Sequence, residues 1–251
     1  MSTTIRNGAV DMLKLIAVLA MVIDHSRFFF PEYRNVLVTI GRLAFPIFAF
    51  VVAFNLSNAY KSGRDDIIDK YAINLAIFAV ISEIPHEMLL RINSDIELMN
   101  IMFTLFAGLV VTILYASENK LYLRGVVLPA FLLCLAVYQD GFEYGILGIM
   151  IVPSMFLMMQ TESKLKKTMF LLIGIVLAVL CNLQYMKVVI GFYGLFNSFT
   201  TPLIISSAFA LVLCFMATQF KMINIKAPKM GKWMYWFYPV HMLFIALVLK
   251  L

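Results

Sequence analysis

About nine apolar runs, most of them near the length that crosses a bilayer as a helix, leave this chain few ways to fold. The hydrocarbon core holds no water, so every backbone N–H and C=O there must be bonded within the protein. Only helices and closed barrels achieve this, and runs of this length select helices. The expected limits are Val10–Phe30, Val36–Ser57, Tyr71–Leu90, Met99–Tyr115, Leu121–Tyr138, Tyr144–Met159, Thr168–Asn182, Thr201–Ala217 and Gly231–Lys250. Composition agrees: 63% of the 251 residues are hydrophobic and 14% are charged, against roughly 25% charged in a soluble domain. The expectation is an all-α integral membrane protein, a polytopic bundle forming a single domain over residues 1–251. The first run is long and has no small-residue cleavage site, so it is expected to stay as a helix rather than leave as a signal peptide.

Basic residues give the expected sidedness. Arg6, Lys14, Lys61, Arg64, Lys70, Lys120, Arg124, Lys164, Lys166, Lys167, Lys221, Lys226, Lys229 and Lys232 fall at one set of helix ends. Arg27, Arg34, Arg91, Lys187 and Lys250 fall at the other, and Arg42 lies inside a span. A bias of about fourteen to five places the N-terminus inside and the C-terminus outside. Topology alone accounts for the basic loops; a site for the phosphates of a cytosolic cofactor is the sharper alternative. Trp233, Tyr235, Trp236 and Tyr238 at the start of the last run read as an aromatic belt at the inner interface.

Cys134, Cys181 and Cys214 stand in separate runs without a CxxC partner, and read as packing residues rather than as a disulfide framework or zinc ligands. No P-loop, GxGxxG, HExxH or GxSxG occurs in a supporting context. Gly41, Gly145 and Gly148 read as close helix contacts. Metal ligation has little support, because the one pair of ligating residues at i, i+4 on a helix is Glu83 with Glu87. No metal is expected.

Asp24 and His25 lie inside the first run, where a carboxylate costs roughly 2.5–3.5 kcal/mol on insertion scales and is a functional hypothesis by default. In the expected orientation they share the outer half of the membrane with Arg42, Glu83, His86, Glu87, Asn100, Thr104, Asp140, Glu143, Asn182, Gln184 and Asn197. His241 lies deeper, by about 7–10 Å at 1.5 Å per residue. This asymmetry suggests a water-accessible cavity opening outward. Each residue also has a plainer reading. Asp24 and Arg42 neutralise each other as an ion pair. His25 and His241 are either general bases, since neutral imidazole both tolerates burial and accepts a proton, or buried hydrogen-bonding groups. Successive helical residues point about 100° apart, so Asp24 is not expected to orient the His25 ring directly. Glu83 is either a site residue or a solvated helix end, and Asn100 is either a site residue or an N-cap.

Ordered strings add a resemblance. LKLIAVLAMVIDH at Leu13–His25, GRLAFPIFAFVVAF at Gly41–Phe54, ISEIPHE at Ile81–Glu87, MNIMFTLFAGL at Met99–Leu109, YGILGIMIV at Tyr144–Val152 and WMYWFYPVH at Trp233–His241 follow one another in an order that resembles the TraX family. That family is named for the inner-membrane protein that N-acetylates conjugative pilin. More distantly, the chain is similar to multispan acyltransferases that modify sugars and peptides across membranes. The resemblance runs from about Leu13 to Leu251. It implies a bacterial inner-membrane acyltransferase using acetyl-CoA or another acyl-CoA, with a peptide, a pilin-like protein or a surface glycan as acceptor and no nucleic acid.

The expected chemistry assigns roles on that basis. His25 takes the proton of the acceptor amine or hydroxyl as it attacks the thioester. Arg42 holds Asp24 or stabilises the oxyanion, an effect of roughly 3–4 kcal/mol when one donor is lost. His241 is the alternative base or positions the thioester, and Glu83 completes the catalytic set. Asn100, Tyr238, Lys61, Arg64 and Arg124 are the expected cofactor contacts, the basic ones attracting the CoA phosphates. A small transporter or proton-coupled permease using Asp24, His25 and Arg42 as a relay is the alternative, although no internal repeat supports it. An assembly or immunity factor without turnover is a third class.

Overall fold

The computed structural model describes residues 7–93, 99–117, 122–183, 186–219, 227–231 and 233–250, and every regular element among them is helical. Arg6, Lys120, Lys221, Lys226 and Lys232, used above for sidedness, and Gln184 lie outside the described residues. In chain order the helices are α1 (Gly8–His25), α2 (Arg34–Gly41), α3 (Ala44–Lys61), α4 (Asp65–Asn93), α5 (Ile101–Ala116), α6 (Leu128–Val137), α7 (Gly145–Ile149), α8 (Ile151–Gln160), α9 (Lys164–Leu183), α10 (Lys187–Tyr193), α11 (Thr200–Gln219) and α12 (Trp233–Lys250).

Every expected run is helical, but several are cut or moved. The first ends at His25 rather than Phe30 and continues as a single 3₁₀ turn, Ser26–Phe28. Its start is set by Asn7, whose side chain accepts from the N–H groups of Ala9 and Val10 at 3.1 and 3.3 Å. The second run breaks between Gly41 and Ala44. Pro46 has no N–H to offer the carbonyl four residues back, that of Arg42, and the helix is interrupted there. The sixth run breaks in the same way at Met150, with Pro153 following. Pro85 and Pro239 sit inside α4 and α12 without ending them. A π-helical turn, Leu123–Val127, leads into α6. The short helix α10 lies where a connection was expected.

Four helical segments are long and apolar enough to cross a membrane: Pro31–Lys61, Lys164–Leu183, Thr200–Gln219 and Trp233–Lys250. Val80 and Ile84 on α4, Leu172 and Val176 on α9, and Val240 and Phe244 on α12 point outward. Outer helix faces this apolar belong to a membrane protein, whose solvent there is lipid.

The chain forms two compact units. The first joins Met1–Val51 to Leu171–Met230, and the second joins Val52–Phe170 to Gly231–Leu251. In the first, α1, α2 and α11 pack on one another around Leu13, Ala17, Leu203 and Leu211. In the second, α4 packs along α12 and α5, and α5 in turn contacts α6, α7 and α8. Ala107, Val111, Leu135 and Ile149 form a core cluster there, with Phe131 and Phe142 against it. Gly108 permits the approach: a Cβ at this position would lie 2.7 Å from the Ile149 carbonyl oxygen. Cys181 and Cys214 are buried packing residues, whereas Cys134 is exposed.

Candidate functional site

The residues read from the sequence as one outward-facing set fall into local clusters, each within one unit. In the first unit the centre is Asp24, on the last turn of α1. The 3₁₀ turn after His25 carries Arg27 back along the helix. Its Nη1 donates to the Asp24 carbonyl oxygen at 3.3 Å and also to the Asp24 carboxylate. Arg42 approaches from the α2–α3 break, with Nη2 4.0 Å from Asp24 Oδ1. Its Nη1 donates to Asn182 Oδ1 at 3.1 Å, and Asn182 is fixed in turn by donating from Nδ2 to the Ala178 carbonyl at 2.7 Å. His25 Nε2 lies 3.9 Å from Asp24 Oδ2, beyond hydrogen-bond range, so the carboxylate acts on the ring through its field. The side chains of Asp24, His25 and Arg42 are 13–15% exposed, so water screens these charges little.

Gly41 is the residue that lets the two helices meet here. A Cβ on it would overlap the Asp24 side chain. Its expected role as a helix contact holds, and the contact is with the site itself. The Asp24–Arg42 pair is present, but Arg27 is the closer cation. The sequence reading counted Arg27 only as a charge at a helix end, although its i+3 spacing from Asp24 was the signal that could have found it.

In the second unit Glu83 on α4 faces the start of α5. Asn100 is buried there and does two jobs. Its Oδ1 accepts from the Met102 N–H at 2.9 Å, which makes it the expected N-cap of α5. Its Nδ2 donates to the Ala79 carbonyl at 2.8 Å and to Glu83 Oε2 at 2.5 Å, and its own N–H donates to the same oxygen at 3.1 Å. Tyr238 from α12 is buried beside this group and hydrogen-bonds to the backbone of Ile101, with Glu83, Glu143 and Tyr144 in its electrostatic surroundings. Tyr238 is therefore no interfacial belt residue, and Tyr235 stacks on Phe78 of α4 at 5.1 Å between ring centroids. Trp233 and Trp236 are the exposed pair of the four. His241 lies one turn beyond Tyr238. Its Nδ1 is 3.1 Å from the Tyr238 carbonyl oxygen, and its ring stacks on Phe237 at 5.3 Å. A carbonyl only accepts, so this contact puts the proton on Nδ1 and, in the neutral ring, a lone pair on Nε2.

The segment before α7 closes over the start of α5. Thr104 Oγ1 donates to the Glu143 carbonyl at 2.5 Å, Met99 N–H donates to the Gly141 carbonyl at 2.8 Å, and Glu143 N–H donates to the Met99 carbonyl at 3.3 Å. Tyr144 and Gly145 both have left-handed backbones, with φ of 67° and 57°. Gly145 opens α7 with a left-handed backbone, and both it and Gly148 are buried, in keeping with the close contact expected of them. Asn197 departs from the site altogether: its Oδ1 accepts from the N–H groups of Phe199 and Thr200, both at 2.9 Å, at the start of α11.

Among the expected cofactor residues, Lys61 and Arg124 line one cavity of 890 Å³ with Tyr60, Asp69, Tyr115 and Gln160. Lys61 Nζ donates to the Met159 carbonyl at 2.6 Å, near the C-terminal end of α8, and Arg124 lies 4.9 Å over the Tyr115 ring. Arg64 does not line the cavity and instead faces Asp66 at 3.8 Å on the surface.

One more group shares the α4 face of Glu83. Glu83, His86 and Glu87 each present a ligating atom, and these atoms lie within 4.8 Å of one another. His86 is 6% exposed, and its Nδ1 has no hydrogen-bond partner. The sequence reading noted Glu83 with Glu87 and passed over His86 at i+3, which belongs to the same helix face.

A family model described as TraX protein matches residues 9–249. No curated protein and no solved structure matches the chain.

Proposed function

The chain belongs to the TraX family, and from that premise we propose that it is a membrane-embedded acyltransferase. It moves an acyl group, most simply acetyl, from cytosolic acyl-CoA to an amine of a peptide or pilin-like acceptor, or to a glycan hydroxyl, at the outer face. In this reading the nine apolar runs span a bacterial inner membrane with the N-terminus inside and the C-terminus outside.

The observation that supports it best is the set of side chains around Asp24: an imidazole, a carboxylate and two guanidinium groups, largely buried at the end of an apolar helix. His25 takes the proton of the acceptor as its nitrogen or oxygen attacks the thioester carbonyl. The Asp24 carboxylate 3.9 Å from Nε2 favours the positive charge the ring then carries. Arg42 is pre-positioned by Asn182, so its guanidinium meets the developing oxyanion without reorganising. The tetrahedral intermediate collapses by breaking the C–S bond, and the CoA thiolate leaves and is protonated. Lys61 and Arg124, in a cavity that also holds Tyr60 and Tyr115, suit the phosphates and adenine of the donor. His241, with its lone pair on Nε2, is the alternative base.

The test is release of CoA by the detergent-purified protein given acetyl-CoA and a free-amine peptide. Wild type releases CoA only with the peptide present, and His25→Ala lowers the rate by roughly 10²–10⁴ while the protein keeps its melting temperature. Loss in His241→Ala with activity kept in His25→Ala moves the base to α12. No release by wild type, and no rise in melting temperature with any acyl-CoA, overturns the reading.

A further inference from the structure

We propose that Glu83, His86 and Glu87 on α4 bind a divalent first-row transition metal ion. Positions i, i+3 and i+4 of a helix share one face, and here that face brings two carboxylates and an imidazole to within 4.8 Å of one another. Donors each about 2.1 Å from one ion are at most about 4.2 Å apart, a contraction that rotation of the two glutamate side chains supplies.

Spacing alone would make this an acidic pair on a helix. The second observation is His86. A buried imidazole is ordinarily hydrogen-bonded through its ring nitrogens. His86 is 6% exposed, and its buried Nδ1 has no partner, in a helix that supplies two carboxylates to the same spot. A cation bound through that nitrogen would satisfy it and offset the charge of Glu83 together. The contacts made by Glu83 leave the charge to be balanced, since Asn100 and Tyr238 are neutral groups. They also restrain the carboxylate through one oxygen: both Asn100 bonds fall on Oε2, which leaves Oε1 to turn toward a cation with small adjustment.

The donor set indicates the class of ion. One imidazole with two carboxylates and no thiolate suits zinc, manganese or iron(II). Three protein ligands leave at least one position for water or for an incoming group, the pattern of a reactive rather than a purely structural site. The inference stands apart from the acyl-transfer reading: the metal can be present with any activity or none.

The experiment uses the full-length protein in detergent, stripped with a chelator and dialysed against Zn²⁺ or Mn²⁺, with bound metal measured by elemental analysis and by melting temperature. The expected result is about one ion retained per chain with a raised melting temperature. His86→Gln and Glu87→Gln should each weaken binding by at least about ten-fold, while His25→Ala and His241→Ala leave it unchanged. X-ray absorption on zinc-loaded wild type should show one imidazole, oxygen donors and no sulfur. This arm stands even if a variant fails to fold. Absence of a retained ion, retention undiminished in folded His86→Gln and Glu87→Gln, or a first shell without imidazole overturns the proposal.

Discussion

Asp24 is held by charge and Glu83 by dipoles. Around Asp24 stand the guanidinium groups of Arg27 and Arg42 and the ring of His25. Around Glu83 stand the amide and backbone N–H of Asn100, with Tyr238 alongside. Both carboxylates sit on apolar helices, where an isolated ionised group is costly. Pairing with cations cancels charge, and each guanidinium carries five N–H donors, more than one carboxylate uses. Bonding to fixed N–H groups sets direction closely but cancels no net charge, so it leaves a negative centre that attracts a cation. The first arrangement suits a transient oxyanion and the second a resident metal ion.

That contrast can be broken most severely at Arg42. Arg42→Ala strips Asp24 of one cation and Asn182 of its donor, and should destabilise the protein by about 3–5 kcal/mol, read by unfolding in detergent. Adding Asp24→Asn should recover part of the loss, because the charge left to Arg27 alone goes with it. Without that recovery, Arg42 matters to the fold through packing, and the ion-pair account of Asp24 fails. Next in size is Asn100→Ala, which removes the cap of α5 and a donor to the half-buried Glu83 carboxylate, together about 2–3 kcal/mol. Asn100→Asp sharpens the comparison. It keeps the cap but replaces the donor to Glu83 with a second carboxylate, so it should lose stability although the cap remains. Stability equal to wild type in Asn100→Asp would show that the cap is all that matters. The smallest of the three is Gly41→Ala, where the added methyl must displace Asp24 for about 1–3 kcal/mol. Its effect on CoA release should exceed that on melting temperature, because the group displaced is the one beside His25.

Much of the helical framework could be read from apolar run length alone, because lipid leaves the backbone so few solutions. The breaks were harder. Pro46 and Pro153 follow interruptions, while Pro85 and Pro239 are carried within intact helices. The missing N–H is common to all four, and neighbouring packing decides whether the chain bends or stops. The short helix α10 carries too few residues to show a period. Asp24, His25, Arg42, Asn182, Glu83 and Asn100 stood out as polar groups in apolar surroundings. Which of them meet was not legible, since it depends on Gly41 admitting one helix to another and on Asn100 turning its two ends to two helices. Arg27 and His86 stand three residues from Asp24 and Glu83, a spacing that neither run length nor i, i+4 pairing brings out.

The left-handed pair at Tyr144 and Gly145 carries a consequence of its own. Glycine takes this conformation freely, but an L-tyrosine there loses roughly 1–2 kcal/mol relative to the right-handed alternative. The segment is therefore held in shape from outside, by the bonds from Thr104 and Met99 to Glu143 and Gly141. It behaves as a wound spring whose catch is on another helix. A residue of opposite chirality at 144 would hold the same left-handed backbone without that cost, and the chain would gain roughly those 1–2 kcal/mol with every contact kept.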